Sequence, residues 1–314
     1  QYFGYFRQKA KAEGFMNAVR FSAGWLSRQS GDLRPLSFAN RDLTFNTQNE
    51  VIKKQQKQQM RATSLLFDAS QVESTYPEIF RWGDRAMRYA WLPASKESRG
   101  LVVYFHGHNA YLHLGPVSAW ENYDILAPWD NYGWNRQGSW FWGEKGDDFV
   151  EKMVYDLVKT IRVKNPDLPW FTMGSSMGGF GSLLFGIKYG ANGIYSMAPQ
   201  VDLRQKIRDY GIDNRDNPYG YLMGDSIESV VDLPGIAESM DAMPPTMITQ
   251  HQFDSVNLFA EHAYKLMDIY NRKNCWYGLR VIPATGHESD GSQREAEMFF
   301  DLIIEKNPPR IYSK

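Results

Sequence analysis

Apolar residues recur along this chain in two modes, unbroken runs and stretches spaced by three and four, and their alternation predicts an architecture. LVVYF at 101–105 is an unbroken run between Gly100 and Gly107. NYDILAPW (122–129), PWFTMG (169–174), GIYSMAP (193–199), PTMITQHQFD (245–254) and YGLRVIPATGHE (277–288) read similarly, and MRYAWLP (87–93) predicts a further short strand ahead of them. Such runs suit strands of a parallel sheet covered by helices.

The other mode falls between the runs. Phe149, Val150, Met153, Val154, Leu157, Val158 and Ile161 form one helical stripe, with Asp147 and Asp148 at its positive end. Phe180, Leu183, Leu184 and Ile187 form a second, and residues 256–271 and 293–305 are expected to be helices too. This order predicts a doubly wound, mostly parallel α/β sheet with helices on both faces. Residues 200–243 exceed a simple connection and are expected to form a helical insertion. Residues 1–60, with the glutamine-rich QNEVIKKQQKQQM at 48–60, are expected to be an N-terminal helical extension ahead of a domain over 61–314.

Composition narrows the function. With 314 residues, 43% of them hydrophobic, the chain can bury a large core. Its 35 basic and 36 acidic residues leave no electrostatic footprint for nucleic acid or a polybasic membrane anchor. One cysteine, Cys275, forbids an internal disulfide and fits a reducing compartment, although a periplasmic protein could also do without bridges; the expectation is a cytoplasmic protein, with the inner face of the membrane as its possible place. No run reaches the roughly 18 apolar residues of a spanning helix. The chain starts at Gln1, which is compatible with a trimmed leader.

Chemistry concentrates in FTMGSSMGGFGS at 171–182. A strand ending at Met173 and a helix starting near Met177 leave little room to reverse, and Gly174, Ser176 and Gly178 fit G-x-S-x-G, in which a serine on a strained turn projects its hydroxyl above the sheet. A Gly/Ser cluster here is also often a tight connection or an anion-binding turn. It lacks the Lys-Ser/Thr ending of a P-loop, and nucleotide binding is the weaker alternative.

A serine needs a base, and the base needs an orienting carboxylate, in the chain order Ser, Asp, His. Asp254 closes one predicted strand, and His287 lies in the loop after another. Asp254 could instead cap the following helix, with Asp225 or Asp232 in its place. His106, His108, His113, His251 and His262 are the rival histidines, but His287 alone combines a post-strand loop with the correct order. The amide of Met177 and one from Gly107 or His108, in HGHN after the 101–105 strand, are the candidate oxyanion donors. His106 is either catalytic or a core histidine satisfied by backbone. A loop rich in Trp, Gly and Asn contains Trp129, Trp134, Trp140, Trp142, Asn131, Asn135, Arg136 and Gln137, and follows Trp120 and Tyr123. Trp134, Asn135, Arg136 and Trp140 are its candidate sugar contacts, the alternative being a packed cover. Nothing in the pattern calls for a metal.

GSSMGGFGSLLFGIKYG (174–190), IYSMAPQVDLRQKI (194–207), YLMGD (221–225), QFDSVNLFAEHAYKL (252–266) and TGHESDGSQREAEMFF (285–300) together resemble bacterial capsular-polysaccharide O-acetyltransferases of α/β-hydrolase fold and their capsule-biosynthesis relatives. The resemblance spans residues 101–304 and is most specific at MAPQ. It implies Ser176 as nucleophile, His287 as base, Asp254 as its acid partner, acetyl-CoA as acyl donor, a carbohydrate acceptor and capsule-assembly proteins as partners. A carbohydrate esterase would use the same three residues with water as second nucleophile. A non-catalytic module would lack one of them.

Overall fold

The computed structural model describes residues 69–110, 114, 120–288, 291–308 and 310; the expected N-terminal extension and His113 lie outside them. An eight-stranded sheet runs through the described residues in the order β1-β2-β4-β3-β5-β6-β7-β8. Its strands are β1 (Glu78–Trp82), β2 (Arg85–Leu92), β3 (Leu101–Phe105), β4 (Asp124–Pro128), β5 (Trp170–Ser175), β6 (Gly193–Met197), β7 (Thr246–Phe253) and β8 (Tyr277–Thr285). β1 and β2 form an antiparallel hairpin, β2 pairs antiparallel with β4, and the remaining six strands are parallel.

The helices are α1 (Ala69–Thr75), α2 (Phe149–Arg162), α3 (Met177–Tyr189), α4 (Leu203–Tyr210), α5 (Leu233–Ser239), α6 (Ala263–Arg272) and α7 (Gln293–Lys306). Every residue of β3 and β6 is buried, as the unbroken apolar runs require. The pleat of β3 sends Leu101, Val103 and Phe105 into a core with α2, α3, α5 and α6, and Val102 and Tyr104 into one with Phe299, Phe300 and Ile303 of α7. α3 is buried from Met177 through Ile187, so its apolar character extends all round rather than along one stripe.

Two elements were not foreseen, α1 and β1. The five-residue edge strand EIFRW is mostly exposed and has no apolar run to announce it. One expectation is corrected: the helix expected over 256–271 begins only at Ala263. Asp254 Oδ1 accepts the N–H groups of Val256 and Asn257, and Asn257 Nδ2 donates to Ala198 O, which holds the preceding residues in a loop. The 200–243 segment does hold helices, α4 and α5, with short 3-10 turns at Gly220–Leu222 and Ile227–Ser229.

β3 lies between β4 and β5, so the chain leaves the C-terminal ends of β3 and β5 in opposite directions across the sheet. Ligands of open α/β sheets sit in the crevice created at such a divergence. Residues 106–110, Ser176, Asp254 and His287 all follow the C-terminal ends of parallel strands. No helix among the described residues is long and apolar enough to cross a membrane.

Candidate active site

Ser176 occupies the turn between β5 and α3 with φ 56° and ψ −116°, a left-handed conformation that costs a non-glycine residue on the order of 1–3 kcal/mol. The surroundings enforce it. Ser176 N–H donates to Met197 O at 2.9 Å, and its carbonyl accepts Phe180 N–H at 3.0 Å. A Cβ on Gly174 would lie 2.2 Å from Gly178 O, and one on Gly178 would lie 2.0 Å from Phe105 O. Both glycines are therefore demanded by backbone approaching backbone, which brings β3, β5 and the first turn of α3 into contact.

The hydroxyl at this turn meets a side chain from the far end of the sheet. His287 Nε2 is 2.8 Å from Ser176 Oγ, and His287 Nδ1 is 2.8 Å from Asp254 Oδ2. A carboxylate can only accept, so Nδ1 carries the imidazole proton and Nε2 accepts from the serine hydroxyl. Asp254 is buried, and its second oxygen takes the amides of Val256 and Asn257 at 2.8 Å each. A bulge in the β7–β8 pairing lies between His251 and Phe253, immediately before Asp254.

The alternatives to these residues have other partners. Asp232 caps α5 through Gly235 N–H at 3.0 Å, and Asp225 lines a groove that residues 215–225 share with Trp134, Asn135 and Lys145. His251 Nδ1 is 3.1 Å from Thr285 O, and His262 Nδ1 accepts the amides of Val201 at 3.1 Å and Asp202 at 3.4 Å. His106 is a core histidine: its Nε2 accepts Asp130 N–H at 3.0 Å and its Nδ1 is 2.8 Å from Gly107 O. Burial lowers its pKa to about 4, so it stays neutral.

Met177 begins α3, where the first amides have no carbonyl one turn earlier, and Gly107 lies against the elbow, its Cβ position 3.6 Å from Ser175 O. His108 stacks on Trp140 with ring centroids 5.4 Å apart, and its Nε2 is enclosed without a partner. Burial lowers its pKa to about 4 as well.

MAPQ proves to be the underside of the elbow. Met197 O takes the Ser176 amide, a Cβ on Gly179 would lie 3.0 Å from Pro199 Cα, and Gln200 hydrogen-bonds both Trp140 Nε1 and Tyr219 Oη. Ala198 turns the chain with φ 41°.

The aromatic loop is organised by Asp130, a residue the sequence reading passed over. Fully buried, it accepts from Ser139 N at 2.7 Å, Ser139 Oγ at 3.0 Å, Phe141 N at 2.8 Å and Tyr132 N at 3.3 Å. Burial raises its pKa while these donors pull it back. Several of the rings in and before the loop are packing: Trp129 is 3% exposed and stacks with Tyr76, and Trp120 lies against Tyr123 and Phe300. Trp140 must be corrected as a sugar contact, since it is 2% exposed and its indole N–H is committed to Gln200. Arg136 is exposed and lies outside the groove lining, whereas Trp134 and Asn135 line that groove, of about 700 Å³, with Lys145, Asp216, Tyr221 and Asp225. Trp134 Nε1 donates to Asp216 Oδ1 at 3.1 Å, fixing one wall.

Sheet order, elbow and flanking helices define the α/β-hydrolase fold. Residues 96–216, which include the elbow but stop short of Asp254 and His287, match the family described as serine aminopeptidase, S33. Among solved structures the chain is similar to the capsule O-acetyltransferase of Neisseria meningitidis serogroup A, with 19% identity and TM-score 0.51 over 72% of this chain and 93% of that one. It is also similar to a protein of unknown function from Staphylococcus aureus subsp. aureus Mu50 (16% identity, TM-score 0.50, 72% and 98% covered). The Pyrococcus horikoshii acylaminoacyl peptidase matches at 12% identity and TM-score 0.52 over 79% of this chain and 45% of that one. No curated protein sequence matches the chain.

Proposed function

We propose that the protein is a serine-dependent acyltransferase that O-acetylates a capsular or other surface polysaccharide from acetyl-CoA through an acetyl-serine intermediate. The observation that carries this reading is the hydrogen-bonded chain from Ser176 through His287 to Asp254 at a strained elbow. In the first half-reaction Ser176 Oγ attacks the thioester carbonyl as its proton passes to His287 Nε2. The amides of Met177 and of the Gly107–His108 segment take the charge developing on the carbonyl oxygen, worth about 3 kcal/mol per donor. The C–S bond then breaks, and the proton on His287 leaves with the coenzyme A sulfur. In the second half-reaction a sugar hydroxyl gives its proton to His287 and attacks the acetyl-serine, restoring Ser176. Asp254 keeps the imidazole in the required tautomer throughout.

The groove beside Trp134, Asn135 and Tyr221 offers flat aromatic surface next to amide and charged groups, which suits a glycan better than an acyl chain. The resemblance to a capsule O-acetyltransferase points the same way. A carbohydrate esterase is the second reading, favoured by the match of residues 96–216 to a hydrolase family; water would then replace the sugar hydroxyl.

Coenzyme A release from acetyl-CoA, followed with and without capsule-type oligosaccharide, separates the two. A transferase releases thiol sharply faster with acceptor, whereas acceptor-independent turnover supports the esterase. Ser176→Ala should abolish both reactions, by at least about 1,000-fold, in a protein whose circular dichroism is unchanged. Retained activity would move the nucleophile elsewhere.

A further inference from the structure

Helix α4 carries a lysine where its pattern calls for an apolar side chain. Leu203, Lys206 and Ile207 share its buried face, and Lys206 is only 8% exposed. A lysine is rarely buried without a compensating partner, because its hydration is lost. Burial lowers the pKa of this one, against the opposing pull of the Glu261, Asp209 and Asp254 carboxylates.

Its partner explains the position. Lys206 Nζ donates to Val256 O at 2.5 Å. That oxygen belongs to the peptide whose N–H is the Asn257 amide, and the Asn257 amide donates to Asp254 Oδ1 at 2.8 Å. The lysine thus binds the acceptor end of a peptide group whose donor end holds the carboxylate, and hydrogen bonds in series polarise one another. Beyond Asp254 the series continues through Oδ2 to His287 Nδ1, and through Nε2 to Ser176 Oγ. The turn is braced on a second side by Gln250 Nε2, which donates to Asn257 O.

We propose that Lys206 is a positioning residue for the acyl-transfer site, acting through the Val256–Asn257 peptide to hold Asp254, and through it His287, in register with Ser176. The inference rests on the reading of Ser176, His287 and Asp254 given under Proposed function. Lys206 touches no reacting atom. Its contribution is to the rate of the step in which His287 receives the serine proton, and not to substrate affinity.

A double-mutant cycle tests this, with the burst of p-nitrophenolate from p-nitrophenyl acetate reporting acylation of Ser176 in the full chain. Lys206→Met should slow the burst about 10-fold with the half-saturating ester concentration unchanged, and Lys206→Arg should restore most of the rate. In an Asp254→Ala background, Lys206→Met should cost nothing further, because the route to His287 is already cut. The same loss in both backgrounds, or none in the parent, overturns the proposal. If Lys206→Met does not fold, Lys206→Gln, which keeps a donor without the charge, is read in the same cycle. The downfield proton signal of the His287 Nδ1–H···Asp254 bond gives a readout independent of turnover, and should move upfield in the Lys206 variant; an unmoved signal counts against the proposal. Should Asp254→Ala leave the burst intact, the assignment of Asp254 fails and the inference with it. Should Asp254→Ala slow the burst while Lys206→Met does not, the inference alone fails.

Discussion

Two strand-to-helix corners deliver the candidate site, and they are built on opposite principles. At the β5–α3 corner the reversal takes a single residue, Ser176, and what fixes it is exclusion: Phe105 O and Gly178 O occupy the space that side chains at 178 and 174 would need. At the β7–α6 corner the chain spends residues 254–262 before Ala263 starts a helix, and what fixes it is attraction. Asp254 gathers two amides, Asn257 reaches Ala198 O, and Lys206 holds Val256 O. An excluded volume restricts residue type at each position that would enter it. A hydrogen-bonded loop restricts residue type only where the side chain is a partner, because backbone groups are supplied by any residue. The first corner should therefore fail abruptly under substitution, and the second by degrees.

The largest expected effect follows from exclusion. Gly178→Ala puts a Cβ within 2.0 Å of Phe105 O, a backbone atom that cannot rotate away, so β3 and α3 must separate. Loss of more than about 3 kcal/mol in urea unfolding is expected, enough to deplete soluble protein. A folded, active Gly178→Ala protein would refute the steric account. Asp254→Asn should be milder for folding and severe for chemistry, since an amide can still accept the turn's N–H groups but no longer stabilises an imidazolium. Burst rates about three orders of magnitude lower, with an unfolding midpoint shifted by little, are expected. Asn257→Ala comes third: it removes the donor to Ala198 O in a buried setting and should cost about 2 kcal/mol by the same urea measurement. A cost as large as that of Gly178→Ala would erase the distinction between the corners.

The same contrast governs what the sequence makes legible. The glycine spacing around Ser176 could be read because exclusion leaves only small residues, and the parallel strands could be read because burial on both faces leaves unbroken runs such as 101–105. Asp254 and His287 could be named from chain order and strand ends, before any geometry. Asp130 and Lys206 could not, since a charged residue in sequence looks solvent-facing unless its partners are known, and those partners are mostly backbone groups. Trp140 misled for a related reason: a tryptophan among amide side chains resembles a sugar platform, yet Gln200, sixty residues later, takes its N–H inside the core. Lys206 left a trace, a lysine at i+3 in an otherwise apolar face of α4, which is a pattern worth testing for a buried partner.

The smallest effect lies beneath the second corner, where His262 is fully buried with its Nδ1 accepting two amides and its Nε2 unpaired. Burial, reinforced by the neighbouring Lys206, Lys265 and His287 and opposed by Asp202, lowers its pKa to about 3. The unfolded chain protonates this imidazole near 6.5 while the folded chain does not, so the unfolded state binds more protons and stability rises with pH. The contribution is complete above pH 6.5 and drains away as pH falls towards the folded value. His106 and His108, lowered to about 4, act in the same direction, whereas Asp130 and Glu261, raised by burial, oppose it at the acid end. Between pH 7 and pH 6 the share of His262 should be about 0.7 kcal/mol, the unfolded imidazole going from mostly neutral to mostly protonated at up to 1.36 kcal/mol per unit for one proton. His262→Gln keeps an acceptor for the Val201 amide but cannot titrate, so urea midpoints measured at pH 7 and pH 6 should lie closer together than in the parent. An unchanged spacing would mean that His262 takes up its proton in the folded state as readily as in the unfolded one, which needs the Val201 and Asp202 amides to leave Nδ1, the nitrogen that receives it, and a corner that opens to water far more easily than its hydrogen bonds suggest.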